Sequence, residues 1–257
     1  GYMNEDLFSL DIKRFQKFHS SKTFIMNRVT ETLGDLYRMH WPYKQHETSR
    51  DQRLLPYHDK LKKAGACFGQ SGEYERPMWY ALNNSKPEYQ YNFNYQNWYP
   101  SVEYESANTI KNVGLFELSP FSKYEIKGEK AYSDLQILCT ANIKNEVGKC
   151  TYTHMLNEGG GIETDLTVVC LDKNHFRIIS SAAVRTHDKY HILKYLSKET
   201  ELKDVTDELI CLGVFGPRSR NLLSKISDEN FSNEKFKFAT GKNITINSKK
   251  VWAQRLS

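Results

Sequence analysis

The sequence predicts an α+β domain. Apolar residues recur at helical spacing in several stretches, other runs alternate with period two, and Gly, Asn and Asp join pairs of those runs into hairpins placed among the helices. At 257 residues the chain is long enough to bury a core without staples.

From Thr23 to His40 the positions Phe24, Ile25, Val29, Leu33, Leu36, Tyr37 and Met39 follow a helical stripe, and Pro42 closes it. Tyr43 to Leu55 is polar and aperiodic and reads as a linker, so a domain boundary is placed near residue 55. Ten aromatics fall within the thirty-one residues from Tyr74 to Tyr104. Arg76 and Lys86 are the only cations among them, too few for nucleic-acid stacking, so this stretch is expected to be a loop packing its rings on the domain.

Ser101 is expected to cap a helix running to Val113, with Val102, Ala107 and Ile110 inward and Gly114 as its stop. Next come a strand over Tyr124 to Lys127, a helix over Ala131 to Cys139, and strands over Cys150 to Leu156 and Ile162 to Leu171. A turn at Asp172 and Asn174 leads to a strand over Phe176 to Ser180. A helix from about Val184 to Leu196, a strand through Leu209 to Phe215, a helix opened by Pro217 and a hairpin across Asn247 and Ser248 complete the series.

The composition narrows the function. No run of eighteen apolar residues is present, and Gly1 to Phe15 lacks the apolar core of a secretory leader, so a protein of a reducing compartment with no membrane partner is expected. The five cysteines are scattered with no Cys-x-x-Cys pair and read as buried free thiols. A net charge of +5, spread among nearly as many acids, excludes the basic stripe of a nucleic-acid binder.

The segment Tyr152 to Val168, YTHMLNEGGGIETDLTV, carries the most information. Gly159 to Gly161 favour a tight connection with positive φ that admits a ligand or another backbone. In the following strand, alternation places Ile162, Thr164, Leu166 and Val168 on one face and Glu163, Asp165 and Thr167 on the other. Pattern alone leaves that second face open to two readings, solvated or ligand-facing. His187 and His191 sit four apart, but no third ligand is near in sequence and no His-Glu-x-x-His motif exists, so surface histidines and no metal site are expected. Neither GxxxxGK[ST] nor GxGxxG occurs, and Ser219 in Gly-Pro-Arg-Ser-Arg is not a nucleophile elbow.

Several blocks stand in order along the chain: Asp11-Ile12-Lys13-Arg14-Phe15, Met39-His40-Trp41-Pro42, Gly65-Ala66-Cys67-Phe68-Gly69, Glu75-Arg76-Pro77 with Trp79, and Ser119-Pro120-Phe121-Ser122-Lys123. The YTHMLNEGGGIETDL block, Leu212 to Ser219 and Phe231-Ser232-Asn233-Glu234 follow. Together these blocks resemble the C-terminal half of the dimethylglycine and sarcosine dehydrogenases, whose FAD-binding oxidase region precedes a folate-binding domain like the glycine cleavage T-protein.

The resemblance implies a division into residues 1–55, the tail of the FAD oxidase domain with its linker, and residues 56–257, an aminomethyltransferase-like folate-binding domain. It implies tetrahydrofolate and, in the whole parent protein, FAD as cofactors, with a methylated glycine as substrate. It also implies that Asp165 takes part in one-carbon transfer to give 5,10-methylenetetrahydrofolate, as a buried carboxylate beside the folate nitrogens. Tyr152, and less firmly Ser119 and Phe121, fall on folate-contacting positions. Two departures stand out. Glu117 replaces the family's Asp, and the chain ends at Leu256-Ser257 where the family continues into an acidic segment and a barrel, so an incomplete folate site is expected. A bacterial cytoplasm or a mitochondrial matrix suits such enzymes. The alternative is a non-catalytic regulatory protein of the same architecture, like the regulatory subunit of pyruvate dehydrogenase phosphatase, or a folate-sensing domain.

Overall fold

The structure, a computed structural model, describes residues 10–71, 74–83 and 85–257. Residues 1–9, on which the reading of the N-terminus partly rests, lie outside the described residues.

Two 3-10 turns lead into helix α1 (Lys22–Asp35). It is shorter than the periodicity predicts, because Leu36 and Arg38 donate to carbonyls three residues back and tighten the end, and Lys44 pairs with Asp35. Ile25, Val29, Leu33 and Leu36 are all exposed, and no residue of α1 is buried.

The expected linker is instead a strap held by side chains. Glu31 accepts from the Glu47 and Thr48 N–H groups at 2.7 and 2.9 Å, and Arg50 Nε donates to Glu75 Oε1 at 2.8 Å. Its polar residues are partners of distant groups, which an aperiodic pattern does not reveal.

Helix α2 (His58–Lys63) and the hairpin β1 (Ala66–Ser71) with β2 (Tyr74–Tyr80) follow. The aromatic stretch is therefore not one loop. It opens as strand β2, and after a loop its last residues enter α3 (Tyr99–Lys111). The loop does pack rings: Tyr89 and Tyr91 lie against the buried Trp79 and Trp98, with Tyr89 and Trp98 centroids 4.9 Å apart. Helix α3 begins two residues before Ser101, with Pro100 in its first turn, so Ser101 is a buried helical residue and not the cap. Val102, Ala107 and Ile110 face outward, contrary to expectation.

Strand β3 (Gly114–Glu117) precedes the central unit, made of β4 (Ser122–Gly128), α4 (Ala131–Leu138), β5 (Cys150–Leu156), β6 (Ile162–Asp172), β7 (His175–Ser180), α5 (Arg185–Tyr195) and β8 (Thr200–Asp204). The five strands form one antiparallel sheet in the order β5-β6-β7-β4-β8. Alternation gives it one apolar face. Tyr124, Ile126, Met155, Leu166, Val168, Phe176 and Ile178 pack there against Ala131 and Leu135 of α4 and Ile192 of α5. Removing this apolar area from water is the main stabilising term of the fold. The hairpin predicted at Asp172 and Asn174 is present, with Asn174 at φ 56°.

Strand β9 (Leu212–Phe215) is shorter than predicted and pairs with β3. Helix α6 (Ser219–Ile226) follows Pro217, and β10 (Thr240–Ile246) pairs with β11 (Lys249–Arg255) across Asn247 and Ser248, both at positive φ. This is the two-residue hairpin that the sequence predicts. Phe231, Phe236 and Ile244 make a separate small core beside it. Four of the cysteines are buried free thiols, and Cys211 is half-buried.

Candidate functional site

Strands β5 and β6 place Tyr152 and Asp165 on the sheet face opposite the helices. Their backbones are offset, with Tyr152 opposite Thr167 and His154 opposite Asp165. The Tyr152 hydroxyl crosses the diagonal to donate to Asp165 Oδ2 at 3.1 Å. This bond to a carboxylate, more than any burial, holds the phenol above its ordinary range. Both side chains are exposed, Tyr152 at 63%. Asp165 is thus an open carboxylate in this chain and not the buried one expected. Among the described residues, Oδ1 receives no hydrogen bond and remains available as an acceptor.

Glu163 does not share that face. A bulge near Met155 and Leu156 breaks the alternation, and Glu163 Oε2 lies 2.8 Å from His187 Nε2 on α5. His187 Nδ1 is 3.2 Å from Asp188 Oδ1, and Thr164 Oγ1 is 3.3 Å from Asp188 Oδ2. The Asp188 carboxylate raises the imidazole above its ordinary range against the opposing effect of burial. His187 is therefore a half-buried member of a network under the sheet, and the half-buried His191 stacks beside it with ring centroids 6.3 Å apart, so neither is the surface residue expected. Among the described residues no group of three His, Cys, Asp or Glu could hold a metal ion.

The glycine turn is built by Asn157. Its Oδ1 accepts from the Gly159 and Gly161 N–H groups at 3.0 and 2.9 Å, and Gly160 alone of the three takes positive φ, at 84°. A Cβ at Gly160 would meet nothing, so its glycine is required by conformation and not by close approach.

Ser119 and Phe121 occupy the tight turn between β3 and β4, closed by Phe121 N–H donating to Leu118 O at 3.1 Å. Glu117 Oε1 accepts from the Ser119 N–H at 2.6 Å and from the Tyr57 hydroxyl at 2.9 Å, so the longer acid in place of the family's Asp caps this turn. Ser119 is buried while Phe121 is exposed. The buried Lys123 donates from Nζ to the Ser119 and Phe121 carbonyls at 2.6 and 2.7 Å. Beside Ser119 lies a cleft of about 220 Å³, bordered by Arg53, Tyr74, Thr206 and Asp207.

Leu166 and Ser122 both pair with Ser180, so Asp165 and Phe121 are each the chain neighbour of a residue on one cross-strand row. Sequence reading missed Tyr57, Lys123 and the cap role of Glu117. Lys123 stood in the quoted Ser-Pro-Phe-Ser-Lys block, one residue before the expected strand, where nothing in the sequence marked it as buried.

Residues 57–257 match the GCVT N-terminal domain family, and residues 1–54 match the FAD dependent oxidoreductase central domain. The chain belongs to the GCVT N-terminal domain family. Among relatives of this GCVT-family chain, the 4-methylaminobutanoate oxidase (formaldehyde-forming) of Paenarthrobacter nicotinovorans is 35% identical over 253 residues, 98% of this chain and 31% of that protein. The mitochondrial pyruvate dehydrogenase phosphatase regulatory subunit of Mus musculus is 33% identical, covering 88% of this chain and 27% of that protein. The mitochondrial dimethylglycine dehydrogenase of Rattus norvegicus is 29% identical over 98% of this chain and 30% of that protein. The chain thus spans less than a third of the length of these curated relatives. The glycine cleavage aminomethyltransferase T structure from Bartonella henselae superposes with a TM-score of 0.60 at 24% identity, over 74% of this chain and 46% of that one, a likeness of fold. The α+β T-protein-like fold expected from the sequence blocks is the one found, and the two domain matches and the dimethylglycine dehydrogenase relative agree with the resemblance those blocks carry. Among the described residues no helix is long and apolar enough to cross a membrane.

Proposed function

We propose that this chain is the tetrahydrofolate-binding, one-carbon-transfer part of an FAD-dependent dehydrogenase of N-methylated glycines, with residues 56–257 as the folate-binding domain. The observation that carries the reading is the Tyr152–Asp165 pair, an open carboxylate with a bonded hydroxyl on the exposed face of the sheet. A lone solvated acid needs no such partner.

The residues fit a pterin. Asp165 offers acceptor oxygens to its ring N–H groups, Tyr152 a hydroxyl, and Phe121 an exposed apolar ring for a flat heterocycle. Bound tetrahydrofolate supplies the N5 and N10 amines that capture a one-carbon unit. Asp165 is the group that would orient those amines, accept a proton and stabilise cationic charge beside them. Ser119 belongs to the turn that presents Phe121. FAD belongs to the reading as the family's redox cofactor. The described residues before Ala66 contain no strand, so they do not form the strand, glycine turn and helix that cradle a dinucleotide pyrophosphate.

Methylated glycines are the proposed substrate class, by analogy with the dimethylglycine dehydrogenases. The 35% identity to an oxidase named for 4-methylaminobutanoate extends that class to longer N-methyl amino acids. The compartment proposed is a bacterial cytoplasm or a mitochondrial matrix. The 33% identity to a phosphatase regulatory subunit favours a second reading, a regulatory protein that keeps the architecture without transfer.

The test is calorimetric titration of 5-formyltetrahydrofolate into the chain and its Asp165→Ala variant. Micromolar binding that the variant weakens by about 1 to 3 kcal/mol supports the reading. Absence of binding by the unaltered chain, followed by absence of binding by the full-length parent, overturns it and moves the regulatory reading first.

A further inference from the structure

We infer that Lys123 is a positioning residue of the folate-facing turn: its buried ammonium draws the Ser119 and Phe121 carbonyls together and so fixes the turn that presents the exposed Phe121 ring. The inference rests on the folate reading above and adds to it a residue that touches no folate.

Lys123 lies in β4 between Ser122 and Tyr124, whose side chains enter the core, so alternation sends its own side chain to the face that carries Asp165. It is nevertheless only 3% exposed. A lysine is rarely buried so far without paired charges or several acceptors. Here the acceptors are the two carbonyls of one turn, at 2.6 and 2.7 Å.

That turn is held from three other sides. Glu117 Oε1 takes the Ser119 N–H, Ser119 Oγ accepts from Cys211 N–H at 3.0 Å, and Tyr57 ties Glu117 to the start of α2. Those bonds fix Ser119. Lys123 is the group that reaches Phe121 as well, and it ties that residue to β4, whose Ser122 pairs with Ser180 as does Leu166, the neighbour of Asp165.

A buried ammonium is also a titrating one. Burial pulls Lys123 down to about 8. The groups facing it are Cys211 before β9, Asp207 after β8, Arg185 of α5 and Glu117 of β3. Burial holds Cys211 above its ordinary thiol range, and the bond to Asp165 holds Tyr152 above its phenol range, so both lie above the lysine's window. Above pH 8 the turn loses its charge-assisted bonds, and neutral donors are about half as strong.

The test is the affinity for 5-formyltetrahydrofolate between pH 6.5 and 9.5, measured on the full chain and on Lys123→Met, with hydrogen exchange at the Phe121 amide read alongside. The unaltered chain is expected to lose about tenfold in affinity with an inflection near pH 8. Lys123→Met is expected to bind about tenfold or more weakly at pH 7, to show no inflection, and to lose protection at Phe121. A cavity left by a merely structural lysine would weaken binding without removing the inflection. If Lys123→Met does not fold, the inflection in the unaltered chain decides, and its absence overturns the inference. Binding that Lys123→Met leaves unchanged overturns the lysine's role and leaves the folate reading standing. No binding at any pH by the unaltered chain or by the full-length parent overturns both.

Discussion

Arg50 and Glu75 form a buried, two-pronged ion pair that fastens the strap before α2 to strand β2. Glu75 is fully buried, and its Oε1 also accepts the Asp51 N–H at 3.0 Å. Burial alone would raise this carboxyl, but the Arg50 and Asp51 bonds outweigh it and hold the group below its ordinary range.

Arg50→Ala therefore leaves a buried charge uncompensated and is expected to destabilise the chain by about 3 kcal/mol, read as a lowered midpoint of urea unfolding. Because the folded value is depressed, the pair's contribution is present above the ordinary carboxylate range and lost as pH falls through the folded value. Stability of the unaltered chain should drop as pH falls below the ordinary carboxylate range, and Arg50→Ala should show a shallower drop. Equal acid slopes would refute this account.

Asp165→Asn is expected to leave stability within about 0.5 kcal/mol, since the side chain is exposed on the sheet face. Folate affinity should fall in the same variant, and Tyr152→Phe should lose less, because it removes the partner and keeps the carboxylate. Thermal melts beside calorimetry separate the two effects. A large loss of melting temperature in Asp165→Asn would mean that the acid is structural.

His187 bridges Glu163 and Asp188, and its folded value is raised. Its stabilising contribution is fully present below the unfolded value of about 6.5 and fades as pH rises through the folded one. Melting temperature should decline over that window above pH 6.5 in the unaltered chain and flatten in His187→Gln. His191 acts below pH 6.5, because burial lowers it, so the two histidines are separable by proton NMR titration. A His187 resonance titrating below 6.5 would contradict the network.

Ser248 holds φ at 64° in the β10–β11 turn, a conformation that costs a side chain and not a glycine. Ser248→Gly, which makes the favoured Asn-Gly pair with Asn247, is expected to stabilise the chain by about 0.5 to 1 kcal/mol. Calorimetric scanning should show a rise of about 2 °C. A fall would mean that Ser248 makes a contact worth more than the strain.

Much of the central sheet was written locally. Strand β5 was predicted residue for residue, β6 and β7 within a residue or so, and the β10–β11 hairpin from its Asn-Ser turn, because alternation and positive-φ residues act over short spans. The Asp165 position was also legible, since the glycine turn and the strand after it are consecutive. The Tyr152–Asp165 bond needed the register of two strands as well.

The strap, the bulge and the turn clamp were decided only in three dimensions. Arg50 bonds a residue 25 positions away and Arg53 pairs with Asp207 154 positions away, so neither leaves a periodic trace. Glu163 looked like a partner of Asp165 until the bulge turned it toward His187. Lys123 stood just before the expected strand, and only the turn folding back before it offered its ammonium two carbonyls. By itself the sequence determined the α+β class, the family and the strand that carries Asp165, all properties of neighbouring residues. The tertiary structure decided which charges are buried and paired, because desolvation and hydrogen bonding depend on what packs beside a group and not on what precedes it in the chain.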